Sequence, residues 1–152
     1  MKKFLKIFAI VIVVFGLIQL IPIDRTNPPV NKAQNFVDVQ KTPANISMVL
    51  KNACYDCHSN ETKYPNYSYI APISWSVKNH INEGRKRLNF SVWTTYSQEL
   101  KVGMLKNTIS TVTNRKMPIP GYMVYHEEAN ITEVERKLLE NYFKKILEEK
   151  SY

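Results

Sequence analysis

The stretch "ACYDCHSN", residues 53–60, contains both cysteines of the chain, Cys54 and Cys57, and places His58 directly after the second one. Two cysteines separated by two residues occur in redox dithiols, in metal sites and in sites that attach a prosthetic group. A small disulfide beside an ordinary histidine is a further possibility. The sequence around the motif has to decide among these chemistries.

The flanking residues argue against a dithiol and against structural zinc. A thioredoxin-like dithiol opens a helix after a strand, within alternating strands and helices. This motif instead follows a predicted helix, whose apolar face has the spacing i, i+3, i+4, i+7. That face consists of Ile46, Val49, Leu50 and Ala53. Structural zinc needs four Cys or His ligands, usually in two pairs, and the other histidines, His80 and His126, are far apart in sequence.

Covalent haem attachment accounts for the whole pattern C-x-x-C-H. Two thiols at this spacing reach two vinyl groups on one edge of a porphyrin, and the next residue brings an imidazole to the iron. We therefore predict covalently attached haem c, held by Cys54 and Cys57, with His58 as the proximal iron ligand.

The other face of the iron requires a second decision. Met117 lies in "RKMPIPGY", residues 115–122, where Pro118 favours an extended backbone before it and two prolines stiffen the loop. We predict Met117 as the distal ligand and keep His126 as the alternative. Methionine is typical of an electron carrier, whereas an open position permits ligand binding or peroxide chemistry.

The N-terminal residues differ from the rest of the chain. "MKKFLK" is a short positive leader, and residues 7–18 are apolar without interruption. A helix over residues 4–23 would be about as long as a bilayer's hydrocarbon core is thick, and no signal-peptidase pattern follows. We predict an uncleaved membrane anchor over residues 1–23. Because the lysines precede it, the rest should face the periplasm from the inner membrane as a single-pass protein.

The remainder of the chain predicts a tether and one helical domain. Residues 24–42 are polar and contain prolines, so we expect a periplasmic tether there. Residues 43–150 should form the folded domain, with a helix over about 72–84 that stops at Gly84. Thr132 and Glu135 form a capping box before the last helix. No strand pattern is evident, so the predicted fold class is all-α.

The net charge and its distribution along the chain limit the classes of binding partner to be considered. The formal net charge is +8, and the positive residues are spread along the chain rather than gathered in one patch. We therefore predict no nucleic-acid binding and expect a redox protein as the partner. The basic surface suits docking on an acidic redox protein, and it suits an anionic membrane face equally well.

Three segments, taken in order, resemble the bacterial haem-binding domain family. They are "ACYDCHSNETKYPNYSYIAPISW" (53–75), "HINEGRKRLNFSVW" (80–93) and "KMPIPGYMVYHEEANITEVE" (116–135). The resemblance extends from about residue 45 to residue 145. It implies haem c bound through Cys54, Cys57 and His58, a small cytochrome-c-like helical domain after an N-terminal transmembrane helix, and the "MPIPGY…H" loop as the distal wall.

The expected function is that of a membrane-anchored monohaem c-type cytochrome domain that transfers electrons in the periplasm. We expect an electron carrier rather than an enzyme, so no catalytic residue is predicted. A haem-based sensor or a peroxidase-like enzyme with an open sixth iron site is the alternative. A non-haem interaction module at the membrane is a third hypothesis, from another class.

Overall fold

The computed structural model describes all 152 residues and is all-helical, without a strand. Eight α-helices follow one another along the chain, and three short 3₁₀ segments lie between them. The α-helices are α1 (Lys2–Ile18), α2 (Phe36–Val39), α3 (Ala44–Ala53), α4 (Tyr55–His58), α5 (Ile73–Arg87), α6 (Gln98–Thr113), α7 (Pro120–Met123) and α8 (Glu133–Glu148).

The predicted transmembrane helix is wrong. Helix α1 has 17 residues, which gives a length of about 26 Å, and none of the helices combines the length and the apolar character that crossing a membrane requires. The helix ends at Ile18, where Pro22 has no N–H to donate to the Ile18 carbonyl. The side-chain amide of Gln19, just beyond the end, donates to the carbonyl of Ala71 at 3.0 Å and accepts from its N–H at 2.9 Å. The same finding corrects the predicted anchor over residues 1–23 and the predicted single-pass inner-membrane location facing the periplasm.

The segment that was expected to be a tether makes specific contacts. The Arg25 guanidinium donates to the Ser68 carbonyl at 2.7 Å and lies over the ring of Tyr69. Phe36, on α2, is fully buried, and its ring contacts that of Trp93 at a centroid distance of 5.0 Å. Part of residues 24–42 therefore packs with the domain, because an aromatic side chain in a polar stretch still gains from burial.

The core lies among α3, α6, α8 and the 3₁₀ segment Phe90–Thr95. Helix α8 begins as predicted: the Thr132 hydroxyl accepts from the Glu135 N–H, and the Glu135 carboxylate accepts from the Thr132 N–H. This capping box fixes the first turn and points the apolar side of α8 inward. Its fully buried side chains include Leu139 and Phe143.

Helix α5 is longer than the sequence suggested. It was expected to stop at Gly84, but it continues to Arg87 and ends before Leu88. Gly84 is buried and lies against α4. Glycine in a helix interior costs about 1 kcal/mol relative to alanine. The packing of Gly84 against α4 outweighs this cost.

Candidate cofactor site

The two cysteines and His58 lie on a single turn at a break between two helices. Helix α3 ends at Ala53, and Cys54 has non-helical angles of φ −127° and ψ −39° before α4 begins. The Cys54 carbonyl then accepts from the N–H of Cys57 at 3.2 Å and from that of His58 at 2.9 Å. These bonds close the turn, so all three side chains come from one compact segment.

The thiols are separate and held in their neutral form. Cys54 and Cys57 are both free rather than joined in a disulfide. Burial raises the pKa of Cys54 to about 12 and that of Cys57 to about 11, with smaller contributions from neighbouring negative groups. Neutral thiols suit addition to an alkene, in which sulfur bonds to carbon and the proton also ends on carbon.

A backbone carbonyl orients the imidazole of His58. Its Nδ1 lies 3.0 Å from the oxygen of Leu88, just beyond the end of α5. Because a carbonyl can only accept, Nδ1 carries the hydrogen and Nε2 keeps a free lone pair. Burial, the largest effect, lowers the pKa of His58, which also favours the neutral ring. Metal-bound histidines commonly show this arrangement.

Gly84 allows α5 to lie directly on the cysteine turn. A Cβ atom at this position would be 2.4 Å from the carbonyl oxygen of Cys57 and 3.2 Å from its Cβ atom. No side chain larger than hydrogen fits that gap without a shift of the backbone. The sequence suggested only a helix stop at Gly84, so this contact was missed.

Two adjoining cavities open beside this turn. The smaller, of about 260 Å³, is lined by Cys54, Cys57, His58, Gly84 and Met117, among others. The larger, of about 510 Å³, is mostly apolar. Both are lined by Cys57, His80, Ile119 and Tyr122, so they adjoin each other beside α5. Apolar clefts of this size with a few polar groups are typical of cofactor sites.

Met117 belongs to the wall of the smaller cavity. Its N–H donates to the Thr111 carbonyl at 3.2 Å, and its own carbonyl accepts from Nη1 of Arg136 at 3.0 Å. Arg136 is buried and also donates from Nη1 to the Val112 carbonyl at 2.6 Å. The backbone of Met117 is thus fixed by α6 and α8, and Met117 lines the same cavity as His58.

His126, the alternative ligand, lies elsewhere and has partners on both ring nitrogens. Its Nε2 is 2.7 Å from the Tyr67 hydroxyl, and its Nδ1 is 3.1 Å from Oε1 of Glu128. The ring stacks on Tyr122 at a centroid distance of 4.1 Å. His126 lines neither cavity, so the structure does not bring it together with Cys54 and Cys57.

Sequence reasoning missed two further features of the site. The Tyr122 hydroxyl donates to Oδ2 of Asp56 at 2.7 Å, which ties α7 to one of the two residues between the cysteines. His80 lines both cavities, and its Nδ1 is engaged by the Ser76 carbonyl at 2.8 Å. His80 and Gly84 are four residues apart, about one helical turn. This spacing was the sequence signal that both residues lie on the same face of α5.

The donor set and the space fit a haem. A porphyrin supplies four nitrogen ligands to its iron, so the protein needs to provide only one or two more. His58 presents a free Nε2, two thiols lie beside it on the same turn, and the adjoining space is mainly apolar. These features describe a haem-binding protein.

Comparison with known protein families agrees with this description. The model of a family described as "Haem-binding domain" matches residues 13–145. The chain therefore belongs to the haem-binding domain family, and the resemblance noted from its sequence is confirmed. Neither the curated proteins nor the solved structures contain a match to the chain.

Proposed function

We propose that the protein carries one covalently attached haem c and transfers single electrons. The observation that carries this proposal is the turn on which Cys54, Cys57 and His58 lie together, with the Nδ1 of His58 held by the Leu88 carbonyl. The haem iron, when bound, would accept and release one electron without a chemical change in any protein residue.

The cysteine turn would supply the attachment and the proximal ligand. Each thiol would add across one vinyl group: its S–H bond and the π bond of the vinyl group would break, and one C–S bond and one C–H bond would form. His58 would bind the iron through Nε2. Gly84 supports this role because it lets α5 close over the turn without a steric clash.

We propose Met117 as the distal ligand in preference to His126. Met117 shares a cavity with His58 and has a fixed backbone. For His126 to reach that cavity, the protein would have to break the hydrogen bonds of both ring nitrogens and the stacking contact with Tyr122. Methionine ligation favours a high reduction potential and leaves no open iron position, as suits an electron carrier.

Two cations are available for the haem propionates. Lys63 lines the larger cavity and Arg87 the smaller one. Neither side chain takes part in any ion pair of the protein. Charge-assisted hydrogen bonds to carboxylates are among the stronger polar contacts in proteins, so we assign the propionates to these residues.

The unit that binds the cofactor is the proposed domain 43–150, since the residues that line both cavities lie between positions 53 and 125. An acidic redox protein remains the proposed partner, on the basis of the net charge of +8.

An optical spectrum of the full chain, produced in a host that attaches haem c, tests the proposal. We expect c-type α and Soret bands that survive acid–acetone extraction, because thioethers are not extracted. Cys54→Ala with Cys57→Ala should make the haem extractable. A colourless wild-type protein would contradict haem binding, and an extractable haem would contradict covalent attachment.

The weak far-red band of a methionine–iron bond tests the distal ligand in the same sample. We expect this band in the oxidised protein, and we expect Met117→Ala to remove it and to let carbon monoxide bind the reduced form. His126→Ala serves as the control and should keep the band. Loss of the band only in the His126 variant would reverse the assignment.

A further inference from the structure

A hydrogen-bonded chain of three side chains lies beside the larger cavity and has no role in the proposed haem attachment. The Tyr67 hydroxyl is 2.7 Å from Nε2 of His126, and Nδ1 of His126 is 3.1 Å from the Glu128 carboxylate. Since a carboxylate can only accept, Nδ1 carries the hydrogen, and in the neutral imidazole Nε2 then accepts from the phenol. The His126 side chain is only 12% exposed, which shields this arrangement from water.

The position of Tyr67 links the cavity to the surface. Its side chain lines the larger cavity together with Cys57. Its ring lies 5.4 Å from that of Tyr125, which lines the same cavity and is 73% exposed. Tyr67 thus borders the cofactor space and contacts an aromatic ring that reaches solvent.

A phenol beside an imidazole of this tautomer has a specific chemical capacity. When a phenol loses an electron, its O–H proton becomes strongly acidic and must leave for the oxidation to be favourable. A neutral imidazole nitrogen at hydrogen-bond distance can take that proton, and a carboxylate on the other nitrogen balances the charge that results.

We propose that Tyr67 is a redox-active tyrosine whose proton acceptor is His126. In the step, one electron passes from Tyr67 to a one-electron oxidant of high potential, and the O–H bond breaks. The proton moves to Nε2 of His126, which becomes an imidazolium paired with Glu128. The products are a neutral phenoxyl radical and a one-electron-reduced oxidant, and re-reduction returns the proton to the phenol oxygen.

This role goes beyond electron transfer by a haem, and its test does not require one. The full chain is made in a host without haem attachment and mixed with photogenerated tris(bipyridine)ruthenium(III) as the oxidant. Transient absorption follows the phenoxyl band, and electron paramagnetic resonance identifies the radical. We expect a fast phase with a solvent isotope effect in deuterium oxide.

Three variants and a matched control identify the residue. Tyr67→Phe should abolish the fast phase. His126→Gln keeps an acceptor oxygen but removes the base, so the phase should slow by about a hundredfold and lose its isotope effect. Glu128→Gln changes an exposed side chain and should slow it less. Tyr125→Phe removes a neighbouring phenol without a histidine partner and should leave the phase unchanged.

Two outcomes would overturn the proposal. One is a fast phase that persists in Tyr67→Phe, and the other is a phase that responds to Tyr125→Phe rather than to His126→Gln. Because Glu128 lies at the surface, Glu128→Gln preserves the fold, so an unchanged rate and isotope effect in that variant would also count against the relay.

Discussion

At the scale of single residues, the geometry of the site depends on the hydrogen bond of one nitrogen of His58 and on the absence of a side chain at Gly84. The imidazole of His58 has one nitrogen held by the Leu88 carbonyl and one left free. Gly84 is needed because the carbonyl of Cys57 occupies the space that a Cβ atom would take. Both contacts join the cysteine turn to α5. A substitution at His58 or at Gly84 should therefore alter the local structure around the other residue as well.

Gly84→Ala should destabilise the protein although alanine is the better helix former. The added methyl group would lie 2.4 Å from the Cys57 oxygen, and overpacking of this kind costs about 1–3 kcal/mol. Urea denaturation of the full chain measures the change. Gly103→Ala is the control, because nothing lies within 4 Å of its Cβ position on α6. It should stabilise the protein by about 0.5–1 kcal/mol. Equal effects of the two changes would contradict the close approach.

Glu140→Gln should weaken the dependence of stability on acid pH. The Glu140 carboxylate accepts hydrogen bonds from Lys144 at 2.7 Å and Lys137 at 2.9 Å, and these lower its pKa from 4.5 to about 2. A carboxyl group with a depressed folded-state pKa stabilises the fold above its unfolded pKa. That contribution is lost as the pH falls from about 4.5 through about 2.

Thermal melting between pH 7 and pH 2.5 measures the effect, and the wild type should lose more stability over the acid range than Glu140→Gln. Glu148→Gln, an exposed residue in the last turn of α8 that takes part in no ion pair of the protein, is the control and should melt like the wild type. A Glu140 variant with the wild-type pH profile would show that these two lysines do not hold the carboxylate in solution.

At the scale of elements, helix α8 holds the backbone of the loop that follows α6 in place through hydrogen bonds. Arg136 is 8% exposed and donates from a single nitrogen to the carbonyls of Val112 and Met117. A helix far from the cysteines in sequence therefore fixes the backbone of the proposed distal ligand.

Arg136→Met should destabilise the protein and weaken methionine ligation. Two backbone carbonyls would lose a charged donor, at about 1.5–3 kcal/mol. The far-red band of the oxidised haem protein should shrink, whereas the c-type α band should remain because the thioethers are unaffected. Arg136→Lys should restore part of the band. Arg115→Met is the control, since its exposed ion pair with Glu133 contributes at most about 1 kcal/mol. An intact band in Arg136→Met would remove Arg136 from the positioning of Met117.

The sequence predicted those elements whose signals are local. Helix α8 was placed correctly because Thr132 and Glu135 cap it through contacts three residues apart. The end of α1 was placed too late, although Pro22, which cannot donate to the carbonyl of Ile18, was a local signal for it. The bond between Gln19 and Ala71 joins residues that no local pattern pairs. The burial of Phe36 was missed because a single aromatic residue in a polar segment gives no periodic signal.

The distinction between local signals and contacts between distant residues also applies to the candidate site. The C-x-x-C-H spacing is local, and the structure places its three side chains on one turn. The preference for Met117 rested on loop stiffness, and the structure puts this residue on the cavity of His58. The contact between His126 and Tyr67, in contrast, joins residues 59 positions apart, and only the folded chain brings them together.

At the scale of the whole molecule, net charge is the property that acts on an approaching partner over the longest distance. The net charge of +8 comes from residues distributed over the chain, and two unpaired cations, Lys63 and Arg87, line the cofactor space. Long-range attraction of this kind accelerates encounter and is screened within about 8–10 Å at ordinary salt concentrations.

Electron exchange with small reagents should therefore depend on the sign of their charge. For the haem-loaded full chain, we expect the rate with ferricyanide to fall as ionic strength rises and the rate with hexaammineruthenium to rise. An uncharged ferrocene derivative is the control and should show little change. Stopped-flow absorbance gives all three rates. Identical salt dependence for the two charged reagents would mean that the cations do not act near the haem edge.

The hydrogen bond between His58 and Leu88 also has a consequence for the order of assembly. Its two partners are separated by 30 residues, whereas the cysteine turn is closed by bonds within five residues. On a growing polypeptide, both thiols are therefore synthesised and can be modified before the carbonyl that orients the imidazole exists. Closing of the cysteine turn and orientation of the imidazole are therefore two separate events in the formation of the site, and the second one waits for α5 to be completed.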